Sequence, residues 1–412
     1  MNLVDAKIDF NKLVFSTLIV LVLMQFLQDI SVIYYLALSF FYLMTFLIFI
    51  NQPKLISLNS LVSFFYLLVL LSFSVIAIES FFYILQDHSI SKIATGSIRL
   101  FLMPTLAFIL FTLIRDTKDF ILIKNIFIIF FVLAAISIIY QIIFGKLSFV
   151  ANPYGALRFG LPGYASITGA VNTYPGAFYS AAVLLFLSNY KNDFIKALLI
   201  LFICGASIFT MSKSGLLNTM IIFLLFSFLG ILLKKYRLLL YLYSFSFVVL
   251  LVSSQILNAA VITIVNTFGI ELIGMTKSST TEWQDITERI LDRIFGYFLS
   301  EEMPLIREFF FGIGLKGGSG LTGFYSPTTH NAFLDIYVMG GIISFFAVIG
   351  LFVSVQTSLI KSYFENKESF ILAMFISNLL IFINGLVHNG ALLHPAMSFM
   401  FWVSVAYLFI YT

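Results

Sequence analysis

The chain has 412 residues, of which 61% are hydrophobic, 17% aromatic and only 10% charged, with a mean hydropathy of +1.06 and a net charge of +4. A soluble domain is nearer half apolar and a quarter charged, and 50 Phe with 20 Tyr exceed what a water-facing fold of this size can bury. These values exclude a cytosolic enzyme, a disordered chain and a disulfide-stapled secreted scaffold, and leave an all-α, polytopic membrane protein. Long apolar runs also argue against a membrane β-barrel, whose strands alternate in polarity.

A helix needs roughly 20 apolar residues to cross the hydrocarbon. About twelve transmembrane helices are read on that criterion, at about 13–29, 32–50, 61–86, 97–114, 121–143, 171–188, 195–211, 214–232, 238–257, 331–355, 370–386 and 391–411. The pair 195–211 and 214–232 is divided only by the polar turn Ser212-Lys213-Ser214. The first run is long enough to span and no small-residue cleavage site follows it, so no cleavable signal peptide is expected. An even number of spans puts both termini on one side. With the N-terminus inside, thirteen of the 23 Lys and Arg residues fall inside, and five of the other ten lie in a single long loop. Counted over the short loops, that bias puts both termini in the cytoplasm. The whole chain, 1–412, reads as one integral membrane domain.

Two outer segments stand out: loop A at about 144–170 and loop B at about 258–330. Within loop B, Trp283, Ile286, Ile290, Ile294 and Phe295 recur at helical spacing between charges. That spacing predicts an amphipathic helix over 280–300, lying on the outer surface. The Gly-rich stretch 311–320 predicts a loop.

Several chemistries have no motif here. There is no G-x-x-x-x-G-K-[ST] loop for ATP, no H-E-x-x-H zinc helix and no G-x-S-x-G nucleophile elbow. No Asp-x-Asp pair offers a metal for a nucleotide sugar. The lone Cys204 excludes a disulfide framework, an iron–sulfur cluster or a Cys zinc site, and reads as an inert buried thiol. No metal and no cofactor is expected. The basic residues lie in short loops as topology signals, so no nucleic-acid partner is implied.

The polar residues that remain cluster at the outer boundary. Arg158 in loop A is followed after ten residues by Gly169, and Arg307 in loop B after ten residues by Gly318. An Arg keeps its charge, and its planar fork matches phosphate or carboxylate. Nearby glycines let backbone N–H groups approach an anion. The blander reading is an interfacial Arg that snorkels to lipid headgroups. Lys213, between two closely spaced spans, needs an anionic partner or water. His330 ends loop B and is followed by Asn331. It is placed to act as a general base on a hydroxyl, or else is held by loop backbone. Asp335 is five residues on, about 140° round the helix from His330, so the two are not expected to meet. Glu79 and Arg99 lie near the outer ends of neighbouring spans and are expected to pair, with Arg99 also a candidate ligand contact. His88, His388 and His394 fall in outer loops and are assigned no role.

Taken in order, four places resemble the O-antigen polymerase (Wzy) and O-antigen ligase superfamily of bacterial inner-membrane proteins. They are the two Arg-x10-Gly motifs, Thr210-Met211-Ser212-Lys213-Ser214-Gly215, Phe311-Gly312-Ile313-Gly314-Leu315, and His330-Asn331 running into Gly340-Gly341. The span count and the long late outer loop fit as well. The resemblance implies a GT-C-like, metal-independent, inverting glycosyltransferase of lipopolysaccharide or polysaccharide biosynthesis. It implies an active site on the periplasmic face of the inner membrane. Its donor and acceptor would be undecaprenyl-diphosphate-linked oligosaccharides, and membrane lipids, a chain-length regulator and a flippase would be its neighbours. Lys213 stands where the family has a Ser-Arg-Ser-type turn, so it supplies charge without the bidentate fork. The family's late-loop Arg maps to Arg289, with Arg293 competing. The donor diphosphate would be held by Arg158, Lys213, Arg289 and Arg307, and His330 would take the acceptor's proton, oriented by Asn331. The paired Arg-x10-Gly loops favour a polymerase over a ligase that transfers to lipid A core. A transporter or flippase of lipid-linked sugars is the reading from another class, but it should place ionisable residues near the midplane. A scaffold for other envelope enzymes would not need the paired loops.

Overall fold

The computed structural model of the chain describes residues 10–23, 60–84, 90–114, 117–145, 157–158, 161–168, 173–210, 212–252, 306–317, 331–388 and 391–411, with a few isolated positions besides. Helices follow the apolar runs: α1 (Phe10–Leu23), α2 (Leu61–Ile84), α3 (Ile90–Leu113), α4 (Thr117–Phe144), α5 (Phe178–Leu187), α6 (Asp193–Phe209), α7 (Lys213–Leu232), α8 (Tyr236–Val252), α9 (Ile306–Phe311), α10 (Ala332–Asn366), α11 (Ser369–Val387) and α12 (Pro395–Tyr411). Among the described residues the one strand pairing is a two-residue antiparallel ribbon, β1 (Leu157–Arg158) on β2 (Leu161–Pro162). Six of the described helices are long and apolar enough to cross a membrane, and the chain is a multi-pass helical membrane protein.

Each predicted span falls on a described helix except 32–50, where only Phe40, Leu43 and Ile50 are described, all helical. Several boundaries differ, among them the start of α3, at Ile90 and not 97, and of α4, at Thr117 and not 121. The predicted span 171–188 is a helix only over 178–187, because 173–177 form turns. Pro175-Gly176 interrupts a run that hydropathy alone reads as continuous. Ten residues rise about 15 Å, half the hydrocarbon. The predicted span 331–355 instead runs on to Asn366, 35 residues in all. Apolarity ends at the membrane surface, whereas helical hydrogen bonding continues past it. The last helix starts at Pro395, after turns at 391–393.

The core is built on the short helices. All of α5 is buried, and so is α12 from Pro395 to Phe409. Around them, α2 packs on α10 and α3, α3 on α12, α11 on α5 and α10, and α6 on α4, α5 and α8. The outward faces stay apolar: Phe64, Leu71 and Ile78 on α2, Ile129 and Leu133 on α4, and Leu224, Phe228 and Ile231 on α7 are exposed. Such faces suit lipid, not water. In lipid, apolar contact between helices gains little, so close packing and polar ties must hold the bundle. Tyr66 of α2 donates to the Pro104 carbonyl of α3 at 2.9 Å, Asn378 of α11 to Ser404 Oγ of α12 at 3.1 Å, and Gln356 of α10 to the Phe375 carbonyl of α11 at 3.3 Å. Each such tie contributes about 0.6 kcal/mol.

Successive helices reverse, so their connections gather at two ends. The described parts of loop A, Thr210, Ser212, 306–317, His388 and 391–394 lie at one, the loop end. The tight turns 188–192, 233–235 and 367–368 lie at the other, the turn end.

Candidate functional site at the loop end

Three segments converge at the loop end, and each is positioned by backbone geometry. The first is α9 and the 3-10 turn Gly314–Gly317 that follows it. They lie on a break in α10, where Gly341 adopts φ 67° and ψ −169° inside an otherwise helical run. A Cβ on Gly341 would sit 2.2 Å from the Phe310 carbonyl, and one on Gly312 would sit 2.4 Å from the Met339 carbonyl. Two backbones therefore touch where no side chain fits, in a conformation only glycine adopts readily. The break frees the Val338 carbonyl, which accepts from the Ile313 N–H at 3.0 Å. Ser80 of α2 completes the dock, its hydroxyl accepting from the Leu315 N–H at 2.8 Å. The stretch 311–320, expected as a plain loop, is thus a fixed 3-10 turn in its described part.

This dock presents Arg307 on α9. Its guanidinium is exposed and donates to the Glu79 carboxylate of α2. The expected Glu79–Arg99 pairing did not foresee that partner, which lies in loop B. Phe309 and Phe310 follow Arg307 on α9 and are exposed, with Phe309 edge-on to Tyr337 of α10.

The second segment is the later part of loop A, which dips into the bundle. Ser137 of α4 accepts from the Ile167 N–H at 3.2 Å, and Gln141 donates to the Ala165 carbonyl at 2.7 Å. Ser137 is seven residues from the end of α4, about 10 Å down the helix. The Tyr164 N–H reaches the Phe209 carbonyl at the end of α6. Beyond it, the turn 173–177 is tied by Asn218 of α7 to the Pro175 carbonyl at 2.8 Å, and by Asn384 of α11 to the Gly176 carbonyl at 3.3 Å. Irregular backbone survives at this depth only because protein groups satisfy it. Arg158 sits on β1, opposite Leu161 of β2. Lys213 is the first residue of α7, just after Ser212. The Tyr164–Phe209 tie brings those two motifs to one end of the bundle.

The third segment is 388–394. His394 precedes α12, and its carbonyl accepts from Met397 N–H and from Ser398 N–H and Oγ. Its Nδ1 is buried, without a hydrogen-bond partner among the described residues. Burial, then His388, then Arg99 of α3 push this imidazole down to a pKa of about 3. The structure therefore groups Arg99, His388 and His394, three residues from two distant parts of the chain. Sequence reasoning gave the two histidines no role. The available signal was their presence six residues apart in one short outer loop, the second of them directly before a helix-opening Pro395.

Asn331 lies at the same end. Its Oδ1 accepts from Phe333 N–H at 2.9 Å and Leu334 N–H at 3.0 Å, and its Nδ2 donates to the Leu386 carbonyl at 3.1 Å. Its amide therefore caps α10 and ties that helix to α11. Asp335, one turn on, is buried. His330, Gly169, Gly318, Arg289, Arg293 and the expected helix at 280–300 lie outside the described residues.

The described arrangement is Arg307 on Glu79 and a neutral His394 imidazole with Arg99 near it, with exposed aromatic rings on α9, at one boundary of an apolar bundle. It can hold an anion that enters from the lipid–water interface. Compared with known proteins, the chain matches no family model and no curated protein.

Proposed function

We propose that the chain is an oligosaccharide repeat-unit polymerase of the GT-C type, with about twelve spans, in the bacterial inner membrane. It would transfer a growing glycan from undecaprenyl diphosphate to a new lipid-linked repeat unit on the periplasmic face. Both termini would then be cytoplasmic and the loop end periplasmic. The observation that supports this reading is the gathering of Arg307, of Arg99 with His388 and His394, and of the Arg158 and Lys213 segments at one end of the bundle. In the proposed step the acceptor oxygen bonds to the anomeric carbon as the bond from that carbon to the diphosphate oxygen breaks. The electron pair leaves with the diphosphate, and the cations of Arg158, Lys213, Arg289 and Arg307 stabilise it without a metal. The acceptor's proton goes to His330. A group held near pKa 3 is a weak base at neutral pH. His394 is therefore assigned a hydrogen-bonding role toward the diphosphate, alongside Arg99, and His330 keeps the base role.

One observation favours a second reading, a transporter of lipid-linked sugars. The break at Gly341 and the half-length α5 are discontinuities of the kind that line transporter sites. Against it, the polar tie in mid-bundle among the described residues, Asn378 to Ser404, is uncharged, and the buried carboxylate of α10, Asp335, lies in that helix's first turn at the loop end. The test supplies purified protein with an undecaprenyl-diphosphate oligosaccharide and chelator, with and without lipid A core. A ladder of whole repeat units that needs no core supports a polymerase. Product only with core makes the protein a ligase. No product, with lipid-linked sugar moved across proteoliposomes, makes it a transporter.

A further inference from the structure

The turn end carries a second charged site, independent of the proposed reaction. We propose that the turns joining α5 to α6 and α7 to α8 form a binding site for the phosphate of an anionic phospholipid headgroup.

The two turns hold Lys191, Lys196, Lys234, Lys235 and Arg237 against the single carboxylate of Asp193. That local excess of four equals the net charge of the whole chain, +4. The turns are fixed to each other through the last carbonyls of α5. Lys196 Nζ donates to the Ser188 carbonyl at 3.1 Å and lies 3.3 Å from Asp193, and Lys235 Nζ donates to the Phe186 carbonyl at 2.8 Å. Lys196 is buried and Lys235 half-buried over the Phe186 ring. The turn before α8 is tight, with Lys234 at φ 55° and the Lys235 N–H on the Gly230 carbonyl at 2.7 Å. Lys191, Lys234 and Arg237 are left exposed around these two anchors.

Three features point to a lipid phosphate. The cationic heads crowd one another: burial, then the charge of Lys196, push the Lys235 ammonium down to about 8, with Asp193 opposing. An anion relieves that crowding. The patch is rimmed by exposed Tyr190, Phe194, Leu232, Tyr236 and Leu240. Tyr rings beside cations at a helix end mark the headgroup level, where a soluble anion is at no advantage. Basic pockets between spans on one side of a bundle are the geometry that takes acidic headgroups.

The test uses the full chain in phosphatidylcholine nanodiscs, with or without a minor fraction of phosphatidylglycerol. Retained lipid is read by native mass spectrometry and stability by thermal unfolding. The unsubstituted chain is expected to keep phosphatidylglycerol and to melt higher with it. Lys191→Gln/Lys234→Gln/Arg237→Gln is expected to bind on the order of a hundredfold more weakly, at roughly fivefold per cation removed. Lys118→Gln/Lys361→Gln, which removes exposed cations at the same end outside the patch, is expected to behave like the unsubstituted chain. An unchanged shift in the triple variant overturns the proposal, as does an equal loss in the double control. If inorganic phosphate reproduces the shift in pure phosphatidylcholine, the site takes a free anion and the lipid assignment falls. Should the triple variant not fold, Lys191→Gln and Arg237→Gln are measured singly, and no weakening in either overturns the proposal.

Discussion

The Glu79 carboxylate sets what Arg307 can offer a ligand. The pair is mostly exposed on the Arg side, so it adds less than about 1 kcal/mol to stability. Under the proposed function, a donor diphosphate would compete with Glu79 for the fork. Glu79→Gln is therefore expected to leave the fold intact and to lower the KM for a lipid-linked donor several-fold, whereas Arg307→Ala lowers turnover on the order of a hundredfold. Steady-state kinetics of both variants check the pair. His394 carries the pH dependence. Its folded pKa of about 3 lies below the ordinary value of about 6.5, so between these two pH values the unfolded chain binds the extra proton. Stability is then full above about 6.5 and falls as pH drops toward about 3. His394→Gln is expected to flatten that part of a melting-temperature profile, and a bound diphosphate analogue to raise the imidazole's pKa. Arg307 was legible as a candidate because an Arg in a Gly-rich outer loop has few other uses. His394 was not, because its character comes first from burial in the fold and then from His388 and Arg99, and Arg99 on α3 is far away in sequence.

At the scale of elements, helices were legible and discontinuities were not. Hydropathy finds α2, α4 and α7 because their lipid faces demand apolar residues all round. It does not find the break in α10, which depends on α9 pressing against Gly341 from another part of the chain. Nor does it weigh Pro175-Gly176 against the apolar residues beside them. Gly341→Ala and Gly312→Ala each place a methyl within 2.4 Å of backbone, at positive φ. Each is expected to cost more than about 3 kcal/mol or to abolish folded yield. Gly205→Ala on α6 meets nothing within 4 Å and is expected to change stability by no more than about 1 kcal/mol. Thermal unfolding of the three in detergent separates a special backbone from an ordinary helical glycine.

For the whole molecule, the sequence carried the class through composition and the arrangement through alternation. Helices that reverse at each connection must sort their loops onto two ends, and the bias of the basic residues gives an expectation for which end is cytoplasmic. What alternation could not supply is which outer segments touch. The Tyr164–Phe209 tie joins loop A to α6 and the Asn384–Gly176 tie joins the turn before α5 to α11, and no periodicity encodes such pairings. Orientation is directly measurable. Cys204 is the only thiol and is buried, so the unsubstituted chain is expected to resist a membrane-impermeant maleimide in intact vesicles. In a Cys204→Ser background, Arg307→Cys and Lys191→Cys are expected to label from opposite faces.

The hydrogen bond from Ile313 to Val338, with the glycine contacts around it, closes a ring of chain whose two ends are both held by the bundle. The clasp fixes the described ends of that ring, Gly317 and Asn331, in the bundle. Doubling the length of a loop tethered in this way costs only about 0.6 kcal/mol of closure entropy. Changing the length of the connection between Gly317 and Asn331 is therefore expected to leave the packing of α2, α9 and α10 unaltered. Evolution can then vary that connection while the membrane scaffold stays the same.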